Sequence, residues 1–316
     1  MAQIEATFVI PVIQKGYIKD CLESLYKFTP IKFRTIVVDN TKLGLYSDPQ
    51  LWKEIKPMID LYIQGNRNFG FAKSMNEGIV HGINWGSKYV VASNDDIIWI
   101  SKKWWAGILS QFETYPEMGA VNPGSLIEAG WGYGLNPDGT WVPGNSCPNW
   151  GVAVGGDIWP KKPDGTALTL EEAQTEEGYE FLLKHRGGGH IEGFAGWCVV
   201  GKREMWENVG LYDERFMPGG GDDYSLVHRI YLAGGRASAT MRAFAHHLWG
   251  KSKDVVNTSN EPMETKRGTF QNTDALFEFS PDGVNSPIFP PRDEPNKPFG
   301  NKRKLKVEGY FIDDPR

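Results

Sequence analysis

The chain has 316 residues, with 34 Lys and Arg against 39 Asp and Glu, a formal charge of −5. Hydrophobic residues make up 40% and charged residues 23%, which excludes wholesale disorder and fibres and allows one large domain or two smaller ones. Three cysteines, Cys21, Cys147 and Cys198, are too few and too scattered for a disulfide framework or a cysteine zinc site, and the mild acidity argues against polyanion binding by the surface as a whole.

Thr7–Val12 reads as a short apolar strand, and Ile18–Phe28 as a helix with Ile18, Cys21, Leu22 and Leu25 at helical spacing. Arg34–Asp39 is β-branched and continuous, as in a strand buried on both faces, and Ile59–Ile63 is a candidate third strand. Phe71–Ile83 predicts a helix, Tyr89–Ser93 another buried strand and Lys103–Phe112 another helix. Such alternation implies an α/β fold with a mostly parallel sheet and helices on both faces. Ligands of such sheets sit at the carboxyl ends of strands, where Asp39 and the Asn94-Asp95-Asp96 cluster fall.

From Pro123 to Gly165 the chain is rich in Gly, Pro, Asn and Trp, with Trp131, Trp141, Trp150 and Trp159 spread along it. This reads as a long insertion that serves as a lid or binding loop. A helix is expected at Thr169–Lys184, a strand at Phe194–Val200, a helix at Lys202–Val209 and a further helix at Asp222–Ala233, closed by Gly234-Gly235. After Ser252 the sequence is polar and Pro-rich, ending in a basic cluster of Lys302, Arg303, Lys304 and Lys306 that is either a polyanion contact or a solvated tail. No apolar run approaches the ~18 residues needed to span a bilayer, and the N-terminus lacks signal-peptide features. The expected location is cytoplasmic, or peripheral to a membrane.

Four segments could carry chemistry. Asn94-Asp95-Asp96 offers oxygen ligands for a hard divalent cation, or is a polar turn with no ligand. Pro218-Gly219-Gly220-Gly221-Asp222-Asp223 lets backbone approach a ligand and opens a helix with two acids, one a candidate general base; an N-cap with a flexible lead-in is the plainer reading. His246 and His247 follow a short strand and can ligate a metal, contact phosphate or serve structure alone. Asn68 to Asn76 is a polar loop entering a helix, where anions bind, or else a capped surface helix.

Taken together, these segments resemble the family 2 glycosyltransferases, which have the GT-A fold. The resemblance rests on FVIPV, the VVDN strand end, NFGFAKSMN at Asn68–Asn76, NDD, GLYDERFMPGGGDDYSL from Gly210 to Leu226, and HLWGKS at His247–Ser252. The Gly210–Leu226 run is most similar to the rhamnosyltransferase-like branch. The resemblance implies a GT-A (Rossmann-like) unit over 1–252, interrupted by an acceptor-side insertion at about 123–190, and a C-terminal extension over 253–316.

It further implies an inverting transferase using a nucleotide-sugar donor, UDP- or dTDP-linked, with Mn²⁺ or Mg²⁺. Asp96 would bind the metal, with His247 or, failing it, His246. Asp223 would be the base, supported by Asp222. Donor-binding roles carry over to Pro11, Asp39, Asn68, Lys73, Asn76, Asn94, Asp95, Trp197 and Gly220, with a looser phosphate contact at Lys251. Asn94 departs from the usual first acid of the metal motif. Trp131, Trp141, Trp150 or Trp159 would stack on the acceptor, a glycan or other glycoconjugate, with nucleic acid also compatible; a small satellite core is the alternative for these residues. Two other functions stand beside this one. A decayed sugar-binding scaffold should have lost Asp96 or Asp223, and a nucleotidyltransferase should carry a Gly-rich basic loop where VIQKGYIKD stands.

Overall fold

In the computed structural model of the chain, residues 4–65, 68–126, 133–135, 141–142, 162–186, 190–214 and 222–248 are described. The first part runs β1 (Ala6–Val12), α1 (Ile18–Phe28), β2 (Phe33–Asp39), α2 (Pro49–Ile55), β3 (Leu61–Gln64), α3 (Phe71–Asn84), β4 (Tyr89–Ser93), β5 (Ile97–Trp99), α4 (Trp104–Thr114) and β6 (Met118–Ser125). The rest runs β7 (Tyr133–Leu135), β8 (Trp141–Val142), α5 (Leu170–Ala173), α6 (Glu176–Arg186), β9 (His190–Glu192), β10 (Cys198–Lys202), α7 (Arg203–Val209), α8 (Asp222–Leu232) and β11 (Arg236–His247).

Side-chain alternation along β1 assigns the two faces of the sheet. Ala6, Phe8, Ile10 and Val12 join a cluster with α1 and α4, whereas Val9 joins one with α3, α7 and α8. The strand order is β3-β2-β1-β4-β10-β6-β11-β9-β7-β8, with β5 paired to β11. β1 is parallel to β2 and β4, β2 to β3, and β6 to β11, while β10 runs antiparallel between β4 and β6. The result is an α/β fold with a mixed, mostly parallel sheet covered on both faces. Pro11 sits beyond the β1–β4 ladder, which ends at Val9, so its missing N–H costs no ladder bond.

Several boundaries differ from the sequence expectation. The helix expected over Thr169–Lys184 is two helices: Thr169 caps α5 through a capping box with Glu172, and Thr175 then accepts from Gly178 N at 3.1 Å to start α6. The strand expected from Phe194 begins only at Cys198, because Gly196 N donates to a side chain, Asp223 Oδ2, instead of a neighbouring strand. β6 carries Pro123 inside it, past the Ala120–Val121 pairing with β10, and so intrudes on the region read as a loop. The insertion also contains the short strands β7 and β8. α5 and α6 form a third apolar cluster with Met241 and Phe244 of β11, and Tyr179 Oη accepts from Phe244 N at 3.1 Å.

α4 lies unusually close to β11. A Cβ at Gly107 would stand 2.0 Å from the Arg242 carbonyl oxygen, a backbone atom that cannot rotate away. Gly107→Ala is therefore expected to cost about 1–3 kcal/mol or more through overpacking, read as a lowered denaturant midpoint. A wild-type midpoint would show that this approach is not tight.

Candidate active site

β4 ends at Ser93, and Asn94-Asp95-Asp96 turns the chain into β5. β11 then returns antiparallel to β5, pairing Ala245 with Trp99, His246 with Ile98 and His247 with Ile97, and Leu248 N donates to Asp96 O at 3.0 Å. This ladder delivers His247 to the acidic turn: its Nε2 lies 3.2 Å from Asp96 Oδ1 and 3.4 Å from Asn94 Nδ2. His246 alternates to the other side of β11, so His247 is the histidine that meets the turn.

Asp95 and Asp96 are both buried; among the described residues Asp95 Oδ2 has no hydrogen-bond partner, while Asp96 Oδ1 faces His247 Nε2 at 3.2 Å. Burial, and then the neighbouring Asp96 charge, hold the Asp95 carboxyl well above the usual carboxylate range. Two adjacent buried acids, one with an oxygen that lacks a partner among the described residues, are favoured by a compensating positive charge. The donor set fits a hard divalent cation. Adjacent ligands of an octahedral Mg²⁺, each roughly 2.1 Å from the ion, lie about 3 Å apart, close to the Asp96–His247 separation. Among the described residues no group of three or more His, Cys, Asp or Glu is positioned to hold a metal ion, so the protein offers a partial ligand set.

Asp222 and Asp223 open α8. Asp222 is buried, and Asp223 Oδ2 accepts from Gly196 N at 2.9 Å. One residue further along, Trp197 O accepts from Asn94 N at 2.8 Å, extending the β4–β10 ladder. Two consecutive residues thus fasten the acid at the head of α8 and the acidic turn after β4. Gly196 is tightly packed: a Cβ there would be 3.0 Å from Asp223 Cβ, so Asp223 would have to shift to admit it. Trp197 lies flat on His247, with ring centroids 5.1 Å apart and planes 10° from parallel.

At the carboxyl ends of β2 and β3, Asp39 is fully buried and occupied by its own chain. Its carboxylate accepts from Thr41 N at 2.7 Å, from Leu45 N at 2.6 Å and from Tyr62 Oη. Burial, then that bond to Asp39, push the Tyr62 phenol up. Asp39 thereby fixes the 40–45 loop. Asn68 Oδ1 accepts from Gly70 N at 2.8 Å, and the Lys73 ammonium lies 5.3 Å from the centre of the Phe69 ring.

Asn76 is a clamp. Its Oδ1 accepts from Tyr212 N at 2.9 Å, and its Nδ2 donates to Tyr212 O at 2.9 Å and Glu214 Oε1 at 3.1 Å, joining α3 to the segment before α8. Asn76→Ala would leave the buried Tyr212 N–H without its acceptor, and a loss of about 1–3 kcal/mol is expected in thermal or urea unfolding. A loss below about 0.5 kcal/mol would show that the clamp is not needed.

Gly220, Trp131, Trp150, Trp159 and Lys251 lie outside the described residues, as do the 253–316 extension and its basic cluster. Trp141 lies in β8, with its side chain outside the description. The Tyr62 contact to Asp39, the fastening role of Gly196 and the packing of Trp197 on His247 were not anticipated from the sequence. Only Gly196, small and one residue before a tryptophan in FAGW, carried a signal of close approach.

Compared by sequence, the chain matches no protein-family model and no curated protein. Compared by structure, it superposes on the mannosyltransferase PcManGT from Pyrobaculum calidifontis, solved with GDP-Man and Mn²⁺: the TM-score is 0.51 at 16% identity, over 92% of this chain and 67% of that one. The fold is GT-A-like. GalNAc-T7, solved with UDP, GalNAc and Mn²⁺, gives the same TM-score of 0.51 at 14% identity over 78% of this chain, which spans 44% of GalNAc-T7. At these identities the likeness is one of fold. Within this GT-A-like fold, the acidic turn, His247 and Asp223 are carried by β4, β11 and α8, with β10 and its entry segment between them. No helix among the described residues is long and apolar enough to cross a membrane.

Proposed function

We propose that the chain is an inverting, metal-dependent glycosyltransferase that moves a sugar from a nucleotide donor, UDP- or dTDP-linked, to an acceptor hydroxyl on a glycan or other glycoconjugate. The observation that carries this reading is the fastening of Asp223 and of the Asn94-Asp95-Asp96 turn to adjacent residues, Gly196 and Trp197, in a GT-A-like fold. The Mn²⁺ and nucleotide ligands of GalNAc-T7 and PcManGT support a cation-and-diphosphate site in this chain as well.

Asp96 and His247 would hold Mn²⁺ or Mg²⁺, with the donor diphosphate and water supplying the remaining ligands, as is usual for such ions. A bound cation supplies neutralisation of the charge that builds on the departing diphosphate. Asp223 takes the proton from the acceptor hydroxyl as that oxygen bonds to the anomeric carbon, and the bond from that carbon to the diphosphate oxygen breaks on the opposite face. One displacement inverts the centre and needs no enzyme nucleophile. Asn94, Asp95, Asn68 and Lys73 are assigned to the donor side, and the tryptophans of the insertion to the acceptor side.

The test is a donor screen. Purified protein is incubated with UDP-, dTDP- and GDP-sugars in Mn²⁺ or EDTA, and nucleotide release and donor binding are measured. Metal-dependent release from one donor, lost in Asp96→Ala and Asp223→Ala, is the expected result. Failure to bind any nucleotide sugar would overturn the reading.

A further inference from the structure

We infer that Trp197 is a positioning residue for the metal site: by stacking on His247 it holds that imidazole with Nε2 at Asp96, and it does not serve as a platform for the donor sugar. This deepens the proposed function, because it rests on Asp96 and His247 being the cation ligands. His247 stands at the last position of β11. The β5–β11 ladder fixes its backbone through Ile97, but the ladder leaves the ring's rotation to its neighbours. Trp197 covers one face of the ring, nearly parallel at 5.1 Å between centroids. Stacked rings of this kind resist rotation about the histidine side-chain torsions and keep Nε2 3.2 Å from Asp96 Oδ1.

Trp197 is itself well anchored. It is buried, its carbonyl accepts from Asn94 N, and its chain enters β10 at Cys198. The indole face turned to His247 is occupied and so is not available to a sugar ring. An outer partner that fixes the orientation of a metal-ligating histidine typically changes metal affinity by about 10–100-fold when removed. Such a partner is commonly a carboxylate or carbonyl; an aromatic face packed on the ring restricts its rotation as well.

The experiment uses the full chain labelled at histidine, with its 6 histidines resolved by NMR and His247 assigned through His247→Gln. In metal-free protein the His247 ring protons should be shifted upfield by the indole current and should lose that shift in Trp197→Ala. MnCl₂ alone is then titrated in, with paramagnetic broadening of the His247 signal as readout and MgCl₂ as the diamagnetic control. The midpoint for Mn²⁺ is expected to rise about 10-fold or more in Trp197→Ala and to stay within about 3-fold of wild type in Trp197→Phe, which restores an aromatic face. Trp197→Phe also serves if the alanine variant does not fold. If Trp197→Ala shifts the ring signals but leaves the Mn²⁺ midpoint unchanged, the positioning role is overturned while the metal site stands. If wild-type His247 is not broadened by Mn²⁺ at all, the metal reading and this inference both fail.

Discussion

Under the proposed transferase function, Asp223→Asn is expected to bind the nucleotide sugar as wild type does and to transfer it about 10²–10⁴-fold more slowly. The substitution is nearly isosteric. The asparagine carbonyl can still accept from Gly196 N, the bond that Asp223 Oδ2 makes at 2.9 Å, so α8 stays seated against the β10 entry segment. What changes is basicity, because an amide nitrogen stands where the other carboxylate oxygen stood and cannot take the acceptor's proton. The contrast with Gly196→Ala sharpens the test. A Cβ at 3.0 Å from Asp223 Cβ would push the carboxylate away without removing it, so activity should fall while the chemistry of the base is retained. The measurements are steady-state rates with the donor found in the screen, donor affinity by calorimetry and unfolding temperature. An Asp223→Asn enzyme that kept more than about a tenth of wild-type turnover would remove Asp223 from the role of base.

How much of this was legible in the sequence depended on whether the pattern was local. α1 and β4 fall at the expected residues, Ile18–Phe28 and Tyr89–Ser93, because each is a continuous apolar run or a clean helical stripe. β11 is harder to read. Its buried positions include Arg236, Ser238 and Thr240, polar residues satisfied from other elements: Gln111 Nε2 donates to Ser238 Oγ at 3.3 Å, and Thr240 Oγ1 donates to Gln111 Oε1 at 3.4 Å. Burial by polar pairing leaves no hydrophobic alternation to find.

The same reason hid part of the site. The acids and histidines were visible as motifs in order. That His247 and not His246 meets Asp96 follows from a ladder to β5, which has three residues and no signature of its own. Asp39 was visible as an acid at a strand end. Its engagement by Tyr62 Oη and Leu45 N depends on how β3 and the 40–45 loop settle beside β2.

The other large effect is on stability, at the opposite end of β11. Glu117→Ala is expected to destabilise the fold by about 3–5 kcal/mol, a large part of the roughly 5–15 kcal/mol that holds a domain together. Glu117 and Arg236 are both buried, with Oε1 and Nη1 3.2 Å apart, and Arg236 N also donates to Glu117 O at 3.0 Å. The guanidinium lies over Tyr115 as well, 4.6 Å from the ring centre. Removing the carboxylate takes the Glu117 charge away from a guanidinium that is buried over the Tyr115 ring. The cost therefore includes the desolvation of a buried guanidinium as well as the lost attraction. This distinction can be measured. Replacing both residues by methionine should restore most of the lost stability, since an apolar pair of similar volume avoids two desolvation penalties. In urea the single variant's midpoint should fall by about 1–2 M, taking a slope of about 3 kcal/mol per molar, with the double variant near wild type. Both variants should keep the His247 ring shift in the folded protein, because the start of β11 is eleven residues from the imidazole. A single variant within about 1 kcal/mol of wild type would show that the pair is not desolvated as its burial requires. A double variant no better than the single would mean that packing around Tyr115, and not the desolvation of the buried pair, sets the cost.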